Sequence, residues 1–204
     1  MDTLFPEEAR QNDLMKIIEE VLGAAKVSVF IGDFILKEDD AAKSSHISCK
    51  LHLRNRILNI KGRGDGPVDA LFTAVVEALT PTYISLEGVQ FDDFSLKVKF
   101  KEGPTTRKAA APVEIKLVLK NERNKRMYFH SQSRSLMAAA VAAIRRAFEF
   151  LINAEKAVLQ LRDAHRNAAD RYRRDLTEKY ALQLAELVQV ANYEKLFQKT
   201  LDFY

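Results

Sequence analysis

Apolar residues recur along this chain with two periods, one typical of helices and one typical of strands. From Pro6 to Leu22 they fall at helical spacing, on a segment that starts with a proline and two glutamates and stops before Gly23. Between His46 and Leu53 apolar and polar residues alternate, which indicates a strand with one buried and one wet face. The chain therefore mixes helices with antiparallel strands.

The first half of the chain predicts three strands followed by a helix. A β-rich composition covers Lys26–Lys37 with an interruption at Gly32-Asp33, and the polar segment Glu38–Ser45 predicts a loop. After the alternating strand comes a third strand at Ile57–Ile60. The next segment, Gly62–Leu79, predicts a glycine turn and then a helix whose apolar face consists of Leu71, Phe72, Val75, Val76 and Leu79.

The second half predicts the same order of elements. Its expected strands are Tyr83–Val89, Phe94–Phe100, Val113–Leu119 and Arg126–Phe129, with a loop at Glu102–Pro112. An Ala-rich helix should follow from about Ser133 and continue past Asn153 without a break.

A repeat relates the two halves. A shift of 68 positions carries Ile47, Cys49 and Leu51 onto Ile115, Leu117 and Leu119. We predict an α+β fold of two βββα units, at about 26–80 and 83–153, which together form a domain over 26–153. An N-terminal helix at 1–25 and a helical extension at 154–204 would flank that domain.

The extension contains no Gly or Pro, and its pattern is helical to the last residue. We interpret its arginines as a solvated helix face paired with acidic neighbours, and we expect the extension and the first helix to form a bundle or a dimer arm. The arginines near the junction are Arg162, Arg166, Arg171, Arg173 and Arg174.

The glycine turn is the strongest candidate for binding chemistry. Glycines permit positive φ and close approach of another group, while Pro67 suits the first turn of a helix whose free N–H groups attract anions. The turn is not a P-loop, because Val68-Asp69 stands where a lysine is needed, and antiparallel strands do not make a dinucleotide fold. A double-stranded RNA-binding domain would also need lysines at this helix start.

The residues of the turn resemble a motif of a known family. Residues 62–70 read Gly-Arg-Gly-Asp-Gly-Pro-Val-Asp-Ala, and they are similar to Gly-x-Gly-Asn-Gly-Pro-Val-Asp-Ala in the C-terminal regulatory domain of alpha-isopropylmalate synthase and citramalate synthase. A looser resemblance extends over Phe34–Asn153. It implies two βββα units, a homodimer and an end-product amino acid bound near the dimer interface. The implied ligand-binding residues are Gly62, Gly64, Asp65, Gly66, Pro67, Val68 and Ala70, with the ligand's side chain against Ala70, Ala138 and Ala139.

Two positions depart from the family pattern. Asp65 stands where the family usually has asparagine, and a carboxylate near a helix start competes with an anionic ligand group. In the second unit the expected glycines are absent and Arg134 replaces an acidic residue. There we expect Ser131 or Ser133 to cap the helix.

Composition limits the possible functions further. With 32 basic and 28 acidic residues the net charge is only +4, which disfavours a nucleic-acid partner. The single cysteine, Cys49, excludes an internal disulfide, fits a reducing compartment and should be buried in its strand. The acidic N-terminus lacks the features of a signal peptide, and no apolar run would span a membrane. We expect a cytoplasmic protein.

No residue pattern predicts catalysis. The synthases that own this regulatory domain use a (β/α)8 barrel of about 250 residues, which this chain cannot also hold. We interpret His46 and His52 as exposed strand residues rather than metal ligands, and Asp39-Asp40 and Asp92-Asp93 as solvated acids in turns. We therefore predict no enzyme activity, no catalytic residues, no metal and no cofactor.

Three functions remain. The first is a free-standing regulatory domain that senses a branched-chain amino acid or a related metabolite through the glycine turn. The second is a ligand-free dimerisation or protein-interaction module that acts through the C-terminal helices. The third is an RNA- or nucleotide-binding protein, which the lysines of Phe94–Lys101 favour and which Asp65 and Asp69 oppose.

Overall fold

A computed structural model describes residues 6–54, 56–98 and 111–191 of the chain. The elements in order are α1 (Pro6–Leu22), β1 (Val29–Asp39), β2 (Ser44–Leu53), β3 (Arg56–Gly64), α2 (Pro67–Leu79), β4 (Gln90–Val98), β5 (Val113–Lys120), β6 (Arg126–Ser133), α3 (Leu136–Asp170) and α4 (Arg174–Leu187).

The strands form two antiparallel sheets, β1-β2-β3 and β4-β5-β6, and a helix follows each. Helix α2 packs on β2 and β3, and helix α3 packs on β5 and β6. The predicted α+β fold with a βββα repeat is therefore confirmed. Helix α1 has the predicted bounds, and it ends where Gly23 adopts a φ of +46°, a left-handed conformation that glycine tolerates.

A bulge at the same place in both sheets supports the repeat. In β1 the two residues Gly32-Asp33 lie opposite the single residue Lys50 of β2. In β4 the two residues Asp92-Asp93 lie opposite Val118 of β5. A shift of 68 positions carries Lys50 onto Val118, so the irregularity has the same register in the two units.

One predicted strand is absent. Tyr83–Val89 contains a turn of 3₁₀ helix at Ile84–Leu86, and β4 begins only at Gln90. The backbone N–H of Ser85 donates to a carboxylate oxygen of the buried Glu155 at 2.8 Å. This segment is therefore held by a side chain of α3 rather than by a neighbouring strand.

The acidic pair Asp92-Asp93 was predicted in a turn, but it lies in the bulge of β4. The Asp92 carboxylate forms ion pairs with Lys120 at 3.2 Å and with Arg126 at 2.8 Å. Lys120 ends β5 and Arg126 begins β6, so Asp92 links all three strands of its sheet. Asp92 is a structural residue.

The predicted cap of α3 is also wrong. Strand β6 continues four residues beyond Phe129, and the hydroxyl of Ser135 accepts the N–H of Ala138 at 3.3 Å. Ser131 instead donates its buried hydroxyl to the carbonyl of Ala139 at 2.6 Å. The cap therefore lies two residues beyond Ser133, the later of the two expected positions.

Helix α3 runs past Asn153 as predicted, and the described part of the extension contains a second helix. The chain turns at residues 171–173, where Tyr172 has a φ of +56°, before α4 packs back against α3 and α1. Within the part of the chain that the structure describes, two of the five arginines pair with nearby acids, Arg162 with Asp163 at 3.1 Å and Arg173 with Asp175 at 2.9 Å.

Some predicted features lie outside the described residues. They are the end of the expected strand Phe94–Phe100, most of the loop Glu102–Pro112 and the part of the extension beyond residue 191.

One core joins the two units. The ring of Phe72 on α2 lies 5.5 Å from that of Phe91 on β4 and 5.7 Å from that of Phe148 on α3. Cys49 is buried in this core as predicted, and burial raises the pKa of its thiol. The repeats therefore share their apolar interior.

Helix α1 covers the free edge of the second sheet. The Gln11 side chain accepts the backbone N–H of Tyr128 at 2.7 Å and donates to its carbonyl at 2.9 Å. The Glu8 carboxylate lies 2.9 Å from the Lys116 ammonium and 3.4 Å from His130. These contacts satisfy polar groups that an edge strand would otherwise expose.

The Glu8 contacts predict a pH-dependent contribution to stability. Partial burial would raise the pKa of Glu8, but the hydrogen bonds and charges of Lys116 and His130 together lower it below 4.5. We expect Glu8→Gln to reduce the free energy of unfolding by about 1 kcal/mol at pH 7. The loss should shrink as pH falls below 4.5 and through the lower pKa of the folded state, where Glu8 is itself protonated.

Urea unfolding at several pH values between 3 and 7 would measure this difference. Glu38→Gln is the control, because Glu38 is exposed and has no ion pair in the described part of the chain. A Glu8→Gln effect that stays constant across the pH range would contradict the role of the ion pair.

Candidate functional site

Gly62 and Gly64 belong to strand β3, and α2 lies directly on them. A Cβ atom on Gly62 would lie 2.3 Å from the carbonyl oxygen of Ala70, and one on Gly64 would lie 2.5 Å from the Ala70 nitrogen. Neither glycine has positive φ. Close approach of the helix, rather than backbone conformation, therefore requires glycine at both positions.

The start of α2 provides backbone donors. Gly66 is the N-cap residue with an extended backbone at φ −155°, and its carbonyl accepts the N–H of Ala70 at 2.9 Å. Pro67 occupies the first turn as predicted. The N–H groups of Val68 and Asp69 precede the first intrahelical hydrogen bond, so they face the region before the helix with the positive end of its dipole.

A side chain of the helix itself occupies part of this region. The Asp69 carboxylate accepts the backbone N–H of Asp65 at 3.1 Å. The same carboxylate would be 2.4 Å from a Cβ on Gly64. The Asp65 side chain is exposed, so of the two acids Asp69 is the one that fills the inner part of the turn.

The candidate residues differ in access to solvent. A Cβ on Gly66 would meet no atom within 4 Å, and Pro67 and Val68 are half-buried. By contrast, Ala70 and Ala139 are fully buried in the core, while Ala138 is exposed. The accessible part of the predicted site therefore lies around Gly66 and the first turn of α2.

A cavity lies elsewhere, between α1, β6 and α3. Its volume is about 510 Å³, within the range of small-molecule sites. The apolar part of its lining includes Ile18, Phe129 and Phe150, and its charged part includes Arg146 and Glu149. This cavity was not predicted from the sequence, although Arg146 and Glu149, one turn apart among the apolar residues of α3, were a visible signal.

A model of the LeuA allosteric (dimerisation) domain family matches residues 8–152. The chain belongs to this family. The match begins in α1, contains both βββα units and ends within α3, so it confirms the resemblance that the glycine motif suggested. The LeuA-type domain is a regulatory, dimerising and non-catalytic domain. A comparison with curated protein sequences gives no significant match.

The two strand histidines of this LeuA-type domain differ in exposure. His46 is exposed on β2, while the His52 ring is half-buried and meets the edge of Phe30 at 5.4 Å. Within residues 6–54, 56–98 and 111–191, no three His, Cys, Asp or Glu side chains form a group that could hold a metal ion. No helix in those ranges is long and apolar enough to cross a membrane.

Proposed function

We propose that this LeuA-type domain is a cytoplasmic homodimer without catalytic activity that senses a small branched-chain amino acid at the glycine turn. The family match over both βββα units carries the proposal. The ligand would contact Gly62, Gly64, Asp65, Gly66, Pro67, Val68 and Ala70, the set that the motif implies.

The accessible part of the predicted site, around Gly66, has a geometry that supports this proposal. A ligand carboxylate beside Gly66 could accept hydrogen bonds from the Val68 and Asp69 N–H groups. The exposed Asp65 carboxylate could meet the ligand's ammonium group. Contact with Ala70 or Ala139 requires a shift between α2 and α3, and such a shift is a means by which binding could favour one dimer arrangement.

A protein partner would recognise that dimer arrangement by binding the C-terminal helices. Leu182 on α4 is 71% exposed, and Tyr172 in the turn before it is 94% exposed. These two exposed side chains are the positions at which we expect such a contact.

Thermal unfolding with millimolar leucine, isoleucine or valine tests the ligand. A ligand at ~100 times its dissociation constant stabilises the native state by about 2.7 kcal/mol, which should raise Tm by roughly 5 °C or more. Gly66→Val should abolish the rise, because its side chain fills the open space at the helix start. Asp65→Asn, which restores the usual family residue, should increase it.

Gly32→Ala is the control, since its Cβ would make only ordinary contacts of 3.4 Å or more in the β1 bulge. Light scattering should give a mass twice the 23.2 kDa of one chain. A dimer whose Tm does not respond to these amino acids would refute ligand sensing at the turn.

That outcome would instead favour a ligand-free dimerisation module. The Asp69 carboxylate supports this second function, because it already bonds the Asp65 N–H inside the turn. The same two acids oppose binding of a nucleic-acid phosphate at this helix start.

A further inference from the structure

The two charged residues that α3 contributes to the cavity between α1, β6 and α3 have no charged counterparts in the first unit. A shift of 68 positions places Arg146 on Ala78 and Glu149 on Pro81, just where α2 ends. Helix α3 continues for several turns beyond this point and α1 crosses it. The charged part of the cavity therefore lies where α3 begins to extend beyond the length of α2 and meets α1.

The apolar part of the cavity is well packed. Ile18, Phe129 and Phe150 are at most 6% exposed, and the rings of Phe129 and Phe150 pack 5.9 Å apart. Met15 also lines the cavity and is 45% exposed, which places it towards solvent. An apolar ligand group would gain stability by replacing water against this surface.

Two charged groups in the cavity are held in place without an ion pair. Arg146 donates one guanidinium N–H to the carbonyl of His130, and one Glu149 oxygen accepts the N–H of Val29 at 2.9 Å. Neither side chain forms a salt bridge with another residue in the described part of the chain, and they do not pair with each other.

The other charges around the cavity are already neutralised. Among the described residues of the lining, Glu8 pairs with Lys116 and lies 3.4 Å from His130, and Glu19 pairs with Lys26 at 2.6 Å. The groups left for a ligand are therefore one cation and one anion, one helical turn apart, with Cβ atoms about 5–6 Å from each other. This arrangement fits a zwitterion better than a phosphate or a polycation.

We propose that this cavity binds a free α-amino acid with an apolar side chain. The ligand carboxylate accepts hydrogen bonds from the remaining N–H groups of Arg146, and its ammonium group donates to the second oxygen of Glu149. The side chain lies against Ile18, Phe129 and Phe150. The inference shares its class of ligand with the proposed function but assigns a different site.

Because α1, β6 and α3 all line the cavity, an occupant would link them. Binding would hold α1 against α3 and stabilise the packing that covers the edge of β6. The amino acid would then control the position of the N-terminal helix.

Calorimetric titration with L-leucine, N-acetyl-L-leucine and L-leucinamide tests the assignment. The wild-type protein should bind leucine at least about tenfold more tightly than either derivative, each of which lacks one charge. Arg146→Gln should weaken leucine binding by roughly 10- to 100-fold and remove the preference over leucinamide. Glu149→Gln should remove the preference over N-acetyl-leucine, while its amide oxygen can still accept the Val29 N–H.

Arg145→Gln is the matched control, because Arg145 neighbours Arg146 on α3 but does not line the cavity. Unchanged leucine affinity in Arg146→Gln and Glu149→Gln would overturn the inference, as would no binding of leucine at millimolar concentration. Loss of binding in Gly66→Val with wild-type affinity in both charge variants would support the glycine turn alone. The reverse pattern would support the cavity and exclude the turn.

Discussion

The Gly62→Ala variant should unfold in urea with a free energy about 3 kcal/mol below that of the wild-type domain. Its methyl group would lie 2.3 Å from the carbonyl oxygen of Ala70 and 2.7 Å from the nitrogen of Ala74. Both atoms belong to the backbone of α2, so no rotamer change can relieve the contact. The helix would have to move away from β3 and weaken the packing of Leu71 and Val75.

Gly66→Ala is the matched control, four residues along the same motif. A Cβ there meets no atom within 4 Å, and the φ of −155° is open to any residue. Its cost should stay below about 1 kcal/mol, the loss expected for a poorer N-cap residue. Equal costs for the two variants would show that close helix packing does not explain the first glycine.

The Asn153→Ala variant should have a free energy of unfolding about 3 kcal/mol below that of the wild-type protein. The buried Asn153 amide accepts the Val27 N–H at 2.7 Å and donates to the carbonyls of Val27 at 2.8 Å and Glu149 at 2.7 Å. Alanine leaves both polar groups of Val27 without these partners beside the core, and it also opens a small void. Chemical denaturation followed by circular dichroism measures the loss.

Gln160→Ala provides the comparison on the same helix. Gln160 also donates to a backbone carbonyl, that of Val21 at 2.9 Å, but its side chain is exposed and water can replace it. The expected cost is about 0.5 kcal/mol. A similarly small loss of stability in Asn153→Ala would mean that other contacts hold the segment that leads into β1.

Periodicity alone predicted the elements that bury one continuous face. The alternation of His46–Leu53 and of Val113–Leu119 identified β2 and β5, and the glycine motif located the start of α2. These predictions succeeded because each pattern repeats within its own segment and requires no knowledge of the partner. The repeat could be recognised for the same reason. One constant shift along the chain relates the buried residues of β2 to those of β5, the central strands of the two sheets.

Predictions failed where a distant residue determined the local conformation. Tyr83–Val89 has a strand-like composition, but the backbone N–H of Ser85 donates a hydrogen bond to the carboxylate of Glu155, which is 70 positions away. The local sequence predicts a turn at Asp92, whereas in the structure its carboxylate forms ion pairs with Lys120 of β5 and Arg126 of β6.

The candidate sites show the same division. The sequence by itself determined the LeuA-type motif, the duplicated βββα fold and the position of the glycines, because these depend on residues close together in the chain. Only the tertiary structure decided that Asp69 turns back into the motif and that Ala70 is buried. It alone brought Ile18 of α1 within one cavity with Arg146 and Glu149 of α3, since packing of amphipathic elements, rather than sequence spacing, determines which distant faces meet.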